Sequence, residues 1–431
     1  MSGPGALRLP HHRDTTRELG VLFPWQTSSN LGAEGICLGA DIGAGSTWHY
    51  DGFSAYSRGI LTNANMIAAG EPGSGKSAAV KTMLARTLGL MGGEHRRWAA
   101  IVDPKNEYDA LADALGMTKL SLYPGGPNKI NPLDAGPGVR AGDHDVLSRQ
   151  RTELVGALLG VMLERHLSQV EDAVIGWTLE LVTGRVRRPS LHDVAQVLAT
   201  GPDELSDRLG AMGHAGDLAS EVRDVRLALD KLLQRDLRGL FDATASSPVD
   251  WKAKGIVIDL SEVHSRPVAL RLVMVGVTSW LTTLFTGHGR DNSSRYYLVI
   301  DEAWSIMADE NVARFAQAVW RLCRDYGVAA MAIVHKMGDF GSQAADGSAA
   351  EKIAKGIVSL SQTKAIFRTD ANDVAATQAA LGLTDREAAL IGRLARGRAL
   401  WRVRDHAAVV QHIVAPSEWA FARTDEHMVV A

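Results

Sequence analysis

Cysteine is nearly absent: the 431 residues hold only Cys37 and Cys323. Two scattered thiols exclude a disulfide framework and any cysteine-based zinc spacing, and they fit a reducing compartment. A dominant charge is lacking too. Lys and Arg number 46 against 49 Asp and Glu, a formal net charge of −3. No global basic field therefore advertises a nucleic-acid coat, although a basic channel inside an oligomer would escape this count. The opening residues "MSGPGALRLPHHRD" contain no apolar run, so no secretory signal is expected. There is no internal repeat and no low-complexity segment. One uncharged stretch stands out, "LVMVGVTSWLTTLFTG" (272–287). It is short for a membrane span, carries five Ser and Thr, and lies between two strand-like runs. It is expected to be a crossover helix packed on a sheet.

What is present begins with an apolar content of 46%, ample for a large core. The length suggests two lobes. The first sixty residues, rich in Gly, Ser and Thr, read as an N-terminal β-type flank. Strand and helix then alternate: "NANMIAA", "SAAVKTMLARTLGLM", "WAAIVD", "NEYDALADALG", "TKLSLY". Such alternation implies a parallel sheet with helices on both faces. From about 144 to 242 helical spacing dominates, and "RPSLHDV" carries an N-cap serine with an acid in the first turn. Strands resume with "GIVIDL", "YYLVID", "VAAMAIV", "TKAIFR", "RALWRV" and "AVVQHIV". The expected organisation is a flank at 1–60, a first core part at 61–134, an all-helical subdomain inserted at 135–250, and a second core part at 251–431.

"AAGEPGSGKSAAVK" (68–81) fits the P-loop pattern completely, with an apolar strand before it and a helix after it. Such a loop curls so that backbone N–H groups face phosphate oxygens, and the helix N-terminus adds favourable partial charge. The candidate nucleotide-binding residues are Gly70, Glu71, Pro72, Gly73, Ser74, Gly75, Lys76, Ser77 and Ala78. Lys76 is expected on the β- and γ-phosphates of ATP, and Ser77 on Mg²⁺. The strand "YYLVIDEAW" ends in two acids. Asp301 is the second candidate for the Mg²⁺ shell. Glu302 is the candidate to orient or deprotonate the attacking water. An adjacent Asp-Glu pair also separates the chain from GTPase-like P-loop proteins.

His335 follows the strand "VAAMAIV", and ligands of open α/β sheets bind beyond the C-terminal strand ends. It is a catalytic candidate expected near the γ-phosphate, against the alternative of an ordinary surface histidine. Arg324, at the end of "ARFAQAVWRLCRDYG", is either a helix-end cation or a catalytic arginine. "DPKNEY" (103–108) is expected to end a strand beside the P-loop strand. Asp103 reads as a cap, with Lys105 and Glu107 near the nucleotide or a subunit boundary, and no catalysis is assigned to either.

The ordered set "DPKNEYDAL", "NKINPLD", "LVIDEAW", "CRDYGVAAMAIVHKMGDF" and "LGLTDREAALIGRLARGRALWRV" resembles the TraC-like ATPases of conjugation and type IV secretion, in particular their actinobacterial members. The resemblance covers most of the chain. It implies an α/β, RecA-like P-loop NTPase core of the additional-strand, catalytic-glutamate type. It further implies a homohexamer whose ATP hydrolysis energises channel assembly or the transfer of DNA or protein. Partners would be other secretion components, with DNA as a further one. The protein would be cytoplasmic, peripheral at the inner face of the membrane and without a span of its own. Arg324 aligns with an arginine that related motors offer to a neighbour's ATP. Relatives often carry glutamine where His335 stands, and many have a large N-terminal domain before the core. Two other classes stay open: a free DNA translocase of the HerA or FtsK kind, and a non-enzymatic ATP-gated scaffold.

Overall fold

The computed structural model describes residues 31–134, 144–213, 217–241, 246–288, 294–303, 310–322, 326–335 and 355–423. Eleven strands form one sheet: β1 (Ile36–Asp41), β2 (Ser46–Tyr50), β3 (Met66–Ala69), β4 (Arg96–Asp103), β5 (Thr118–Ser121), β6 (Gly255–Asp259), β7 (Ser294–Ile300), β8 (Val328–Val334), β9 (Thr363–Phe367), β10 (Arg398–Val403) and β11 (His406–His412). Their order is β2-β1-β11-β10-β9-β3-β8-β7-β4-β6-β5. From β9 to β5 every pairing is parallel. From β9 to β2 every pairing is antiparallel.

The central strands are apolar without interruption because both of their faces are covered; β3 and β8 are buried at every position. Successive residues feed opposite faces. Ile67 and Val102 belong to one hydrophobic cluster, and Ala68 and Ile101 to the other. Helix Lys76–Leu90 lies on the second face through Ala79, Val80 and Leu84. Between β5 and β6 the regular elements among the described residues are helices, chief among them His144–Leu163, Gln169–Arg185, Leu191–Thr200, Asp203–Ala211 and Arg223–Lys231. Their starts are fixed locally: Ser168 with Glu171, and Ser190 with Asp193, form reciprocal capping boxes. These helices do not build a core apart from the sheet. Leu154, Leu158, Val194 and Leu229 share one cluster with Val102 and Leu298. The uncharged stretch lies in helix Pro267–His288, long and apolar enough to cross a membrane. Its apolar window is 89% buried inside the fold, around Trp280 and Phe285, as a core helix requires.

One feature departs from the sequence reading. The strand ending at Asp103 does not lie beside the P-loop strand; β8 and β7 stand between β3 and β4. Strand order depends on crossovers that no local pattern encodes. The N-terminal strands β1 and β2 join the same sheet. β1 pairs with β11 near the other end of the chain, Gly39 opposite His412.

The join between the N-terminal segment and the parallel strands is a buried ion pair. Arg97 of β4 donates to Asp51 at 3.2 and 2.6 Å, and the Tyr297 hydroxyl of β7 donates to Asp51 at 2.9 Å. Burial opposes ionisation of Asp51, but the Arg97 bonds and charge outweigh it and lower its pKa. Removing the cation leaves a buried carboxylate without its charge partner. Arg97→Ala is expected to lose about 3–5 kcal/mol of stability, read from denaturant or thermal unfolding. A loss under about 1 kcal/mol would mean the pair behaves as a surface contact.

Candidate active site

The P-loop joins β3 to helix Lys76–Leu90. Its conformation needs glycine at defined points. Gly75 has φ 94, and a Cβ there would sit 2.8 Å from the backbone nitrogen of Gly397. Gly70 has φ 155, and a Cβ there would meet Phe367 Cβ at 2.6 Å. The loop is thus gripped from β9 and from the entry to β10. Gly397 N–H donates to Ser74 O at 2.8 Å, and Glu71 N–H to Arg368 O at 2.9 Å. The Arg368 guanidinium also pairs with the Glu71 carboxylate. Within the loop, Ser74 Oγ donates to Glu71 O at 2.7 Å. Pro72 and Gly73 form its tip, and Ser77 and Ala78 lie in the first turn of the helix.

Lys76 is buried and turns toward β8. Its Nζ donates to Gly70 O at 3.2 Å and to Val334 O at 2.9 Å, and it lies 2.7 Å from His335 Nδ1. Burial lowers its pKa to about 8, with the charges of Asp301 and Glu302 acting the other way. Asp301 and Glu302 follow β7. Asp301 N–H bonds to Val102 O of β4, and Ala303 N–H to Ile333 O of β8, each at 3.1 Å. Glu302 is held between these bonds with φ 50, in the left-handed region that non-glycine residues seldom occupy. Its N–H donates to Asp301 Oδ1 at 2.9 Å. Burial raises Asp301 to about 6, with the Glu107 charge adding to it.

His335 bridges the two halves of the site: its Nε2 lies 2.8 Å from Glu302 Oε1. An ammonium group can only donate, so Nδ1 must accept from Lys76, and the ring proton sits on Nε2, facing Glu302. The neutral imidazole satisfies both bonds. A glutamine has the same pairing of one acceptor and one donor end. On the far side of Glu302, Lys105 Nζ contacts the same Oε1. A continuous row therefore runs Lys76–His335–Glu302–Lys105 across the C-terminal ends of β3, β8, β7 and β4, which are neighbours in that order.

The structure brings together the P-loop residues, Asp301, Glu302 and His335. Arg324 lies outside the described residues. Lys105 is the site residue that sequence reasoning left without a role; its contact joins positions 197 apart, and the only local signal was its place just after a strand end. Among the described residues, no group of three or more His, Cys, Asp or Glu could hold a metal alone. A divalent ion here would need oxygens from a bound phosphate as well as from Ser77 and Asp301. The donor set, one hydroxyl and one carboxylate beside a phosphate cradle, fits Mg²⁺.

No protein-family model and no curated protein matches the chain. Solved structures do. VirB4 of Thermoanaerobacter pseudethanolicus superposes with a TM-score of 0.69 at 19% identity, over 90% of this chain and 99% of that one. The conjugative coupling protein TrwBΔN70 gives 0.58 at 15% identity, over 89% and 91%. TrwB in complex with ADP and Mg²⁺ gives 0.57 at 17% identity, over 81% and 86%. The fold is that of VirB4 and TrwB. The expected α/β, RecA-like class is thereby found, and the resemblance read from the sequence holds at the level of fold.

The His335 bridge can be tested without any ligand. His335→Gln retains the thermal midpoint because both bonds can be remade. His335→Leu leaves Glu302 and Lys76 each short of a partner and is expected to lose about 1–3 kcal/mol. Equal melting of the leucine and glutamine variants would contradict the bridging geometry.

Proposed function

We propose that the chain is an ATP-hydrolysing motor of a conjugative or type IV secretion machine. The observation that carries this reading is the row of side chains beside the P-loop, which joins a phosphate-binding lysine to a buried strand-end glutamate. The fold shared with a coupling protein solved with ADP and Mg²⁺, and with the ATP analogue ADPNP, supports the choice of ligand.

The P-loop backbone and helix N-terminus bind the phosphates, and Lys76 exchanges Gly70 O, Val334 O and His335 for phosphate oxygens. Ser77 and Asp301 would hold Mg²⁺, which when bound would supply positive charge to offset that of the phosphates. Glu302 orients and deprotonates the attacking water. His335, released by Lys76, keeps a ring nitrogen free to report on the γ-phosphate. Arg324 is the candidate for charge stabilisation from a neighbouring subunit of a homohexamer. The protein would sit in the cytoplasm, peripheral to the membrane, with other secretion components and DNA as partners. Assembly of the channel and movement of DNA or protein through it are both compatible with this chemistry.

The reading predicts that Lys76→Ala abolishes turnover. Glu302→Gln should keep nucleotide binding and lose hydrolysis, since an amide is a poor base. Phosphate release and fluorescent-nucleotide binding check both; wild-type turnover in either variant would sink the assignment. Strong stimulation by DNA alone would favour a free translocase, and binding without turnover in the wild type would favour a scaffold.

Arg324→Ala should fold, bind ATP and hydrolyse about 10³-fold more slowly. Mixing it with Lys76→Ala should restore part of the activity, because composite sites pair an intact Lys76 with an intact Arg324. An active Arg324→Ala protein, or no rescue in proven mixed assemblies, would rule out the trans-acting role.

A further inference from the structure

Glu302 is gripped from two sides, and one grip belongs to a segment that the chemistry above does not use. From the β8 side comes His335; from the β4 side comes Lys105, in "DPKNEY". The turn that carries Lys105 is tightly built. Asp103, fully buried, accepts from Lys105 N–H at 3.1 Å through Oδ1 and from Tyr108 N–H at 2.8 Å through Oδ2. Asn106 has φ 57, a left-handed conformation that asparagine tolerates better than most residues. Tyr108 is fully buried and anchors the far end of the turn. The direction in which Lys105 leaves the strand is therefore fixed by its own segment.

A lysine on a carboxylate at a protein surface means little. This pair differs in one respect: the Lys105 side chain is 36% exposed, but that of Glu302 is only 3% exposed. A carboxylate so deep has lost its water and depends on charged or hydrogen-bonding partners to stay ionised. Glu302 also has a backbone conformation that supplies no rigid helix or strand to aim its side chain. Lys105 and His335 meet the same oxygen, Oε1, from opposite neighbours of β7. Between them they define the carboxylate's position. Lys105 also feels the charges of Glu107 and Asp301, yet its direct ion pair is with Glu302.

We propose that Lys105 is a positioning residue for hydrolysis: it holds the Glu302 carboxylate in the direction from which it addresses the attacking water. The inference rests on the reading of Glu302 as the water-activating group. Lys105 acts through Glu302, so its removal should slow the chemical step and leave nucleotide binding almost untouched.

The test compares ATP turnover, fluorescent-ATP binding and thermal melting in wild type, Lys76→Ala, Lys105→Met and Lys105→Arg. Lys105→Met should lower kcat between ~10- and ~100-fold, as small misplacements of catalytic groups do. Its nucleotide Kd should stay within about threefold of wild type, the signature of an interaction felt only in the reaction step. Lys105→Arg keeps a cation in reach of Oε1 and should recover most of the rate. In a Glu302→Gln background, Lys105→Met should add no further loss to the residual single-turnover rate, because coupled positions are not additive. If Lys105→Met melts early, Lys105→Gln, shorter and neutral, is read in its place. Turnover within about twofold of wild type, a loss confined to Kd, or a full additional loss over Glu302→Gln would overturn the proposal. Wild type without turnover, or an active Lys76→Ala, would overturn the ATPase reading and this inference together. An active wild type, a dead Lys76→Ala and an unaffected Lys105→Met would overturn this inference alone.

Discussion

The site hangs on one bridge, the imidazole of His335 between Lys76 Nζ and Glu302 Oε1. It exists because β3, β8 and β7 are neighbouring parallel strands: β3 and β8 end level, Ala69 opposite Val334, and β7 ends two positions earlier, Ile300 opposite Ala332, which sets Glu302 beside the end of β8. Parallel pairing puts the loops after the strands on one edge, and crossovers elsewhere leave that edge open for chemistry. The groups on it are buried enough that their charges depend on each other. Burial draws Lys76 down to about 8 and pushes Asp301 and Asp103 up to about 6. On the proposed reading, a phosphate would replace the Lys76–His335 bond, and Lys105 would keep its hold on Glu302.

The P-loop ties this edge to the rest of the sheet. Phe367 ends β9, Arg368 follows it and Gly397 precedes β10; all three press on the loop or bond to it. β10 pairs with β11, and β11 with β1. The antiparallel half of the sheet, built from β1 and β2 together with β9 to β11, is therefore continuous with the P-loop. The segment "LGLTDREAALIGRLARGRALWRV" gains a structural reason here. Its helix Asp385–Ile391 has a capping box from Thr384 and Glu387, and its Gly397 reaches Ser74.

Much of this was legible in the sequence, for local reasons. The P-loop is a backbone shape that only certain residues allow, and Gly70 and Gly75 lie where side chains would collide. β8 was readable to the residue because a strand covered on both faces must be apolar throughout. His335 was placed by topology alone, one residue past that strand. The order of strands was not legible: β4 was expected beside β3 and lies beyond β8 and β7. Nor was the partner of Lys105, because an ion pair between remote positions leaves no trace in either neighbourhood. The pairing of β1 with β11 escaped for the same reason.

The most direct test of the account is a crystal structure with Mg²⁺ and a non-hydrolysable ATP analogue. The account predicts that Lys76 Nζ leaves Val334 O and His335 Nδ1 for phosphate oxygens, with Ser77 and Asp301 at the metal and Glu302 facing the γ-phosphate. Nucleotide bound elsewhere, or Lys76 still on Val334 O and His335 beside an occupied P-loop, would contradict it.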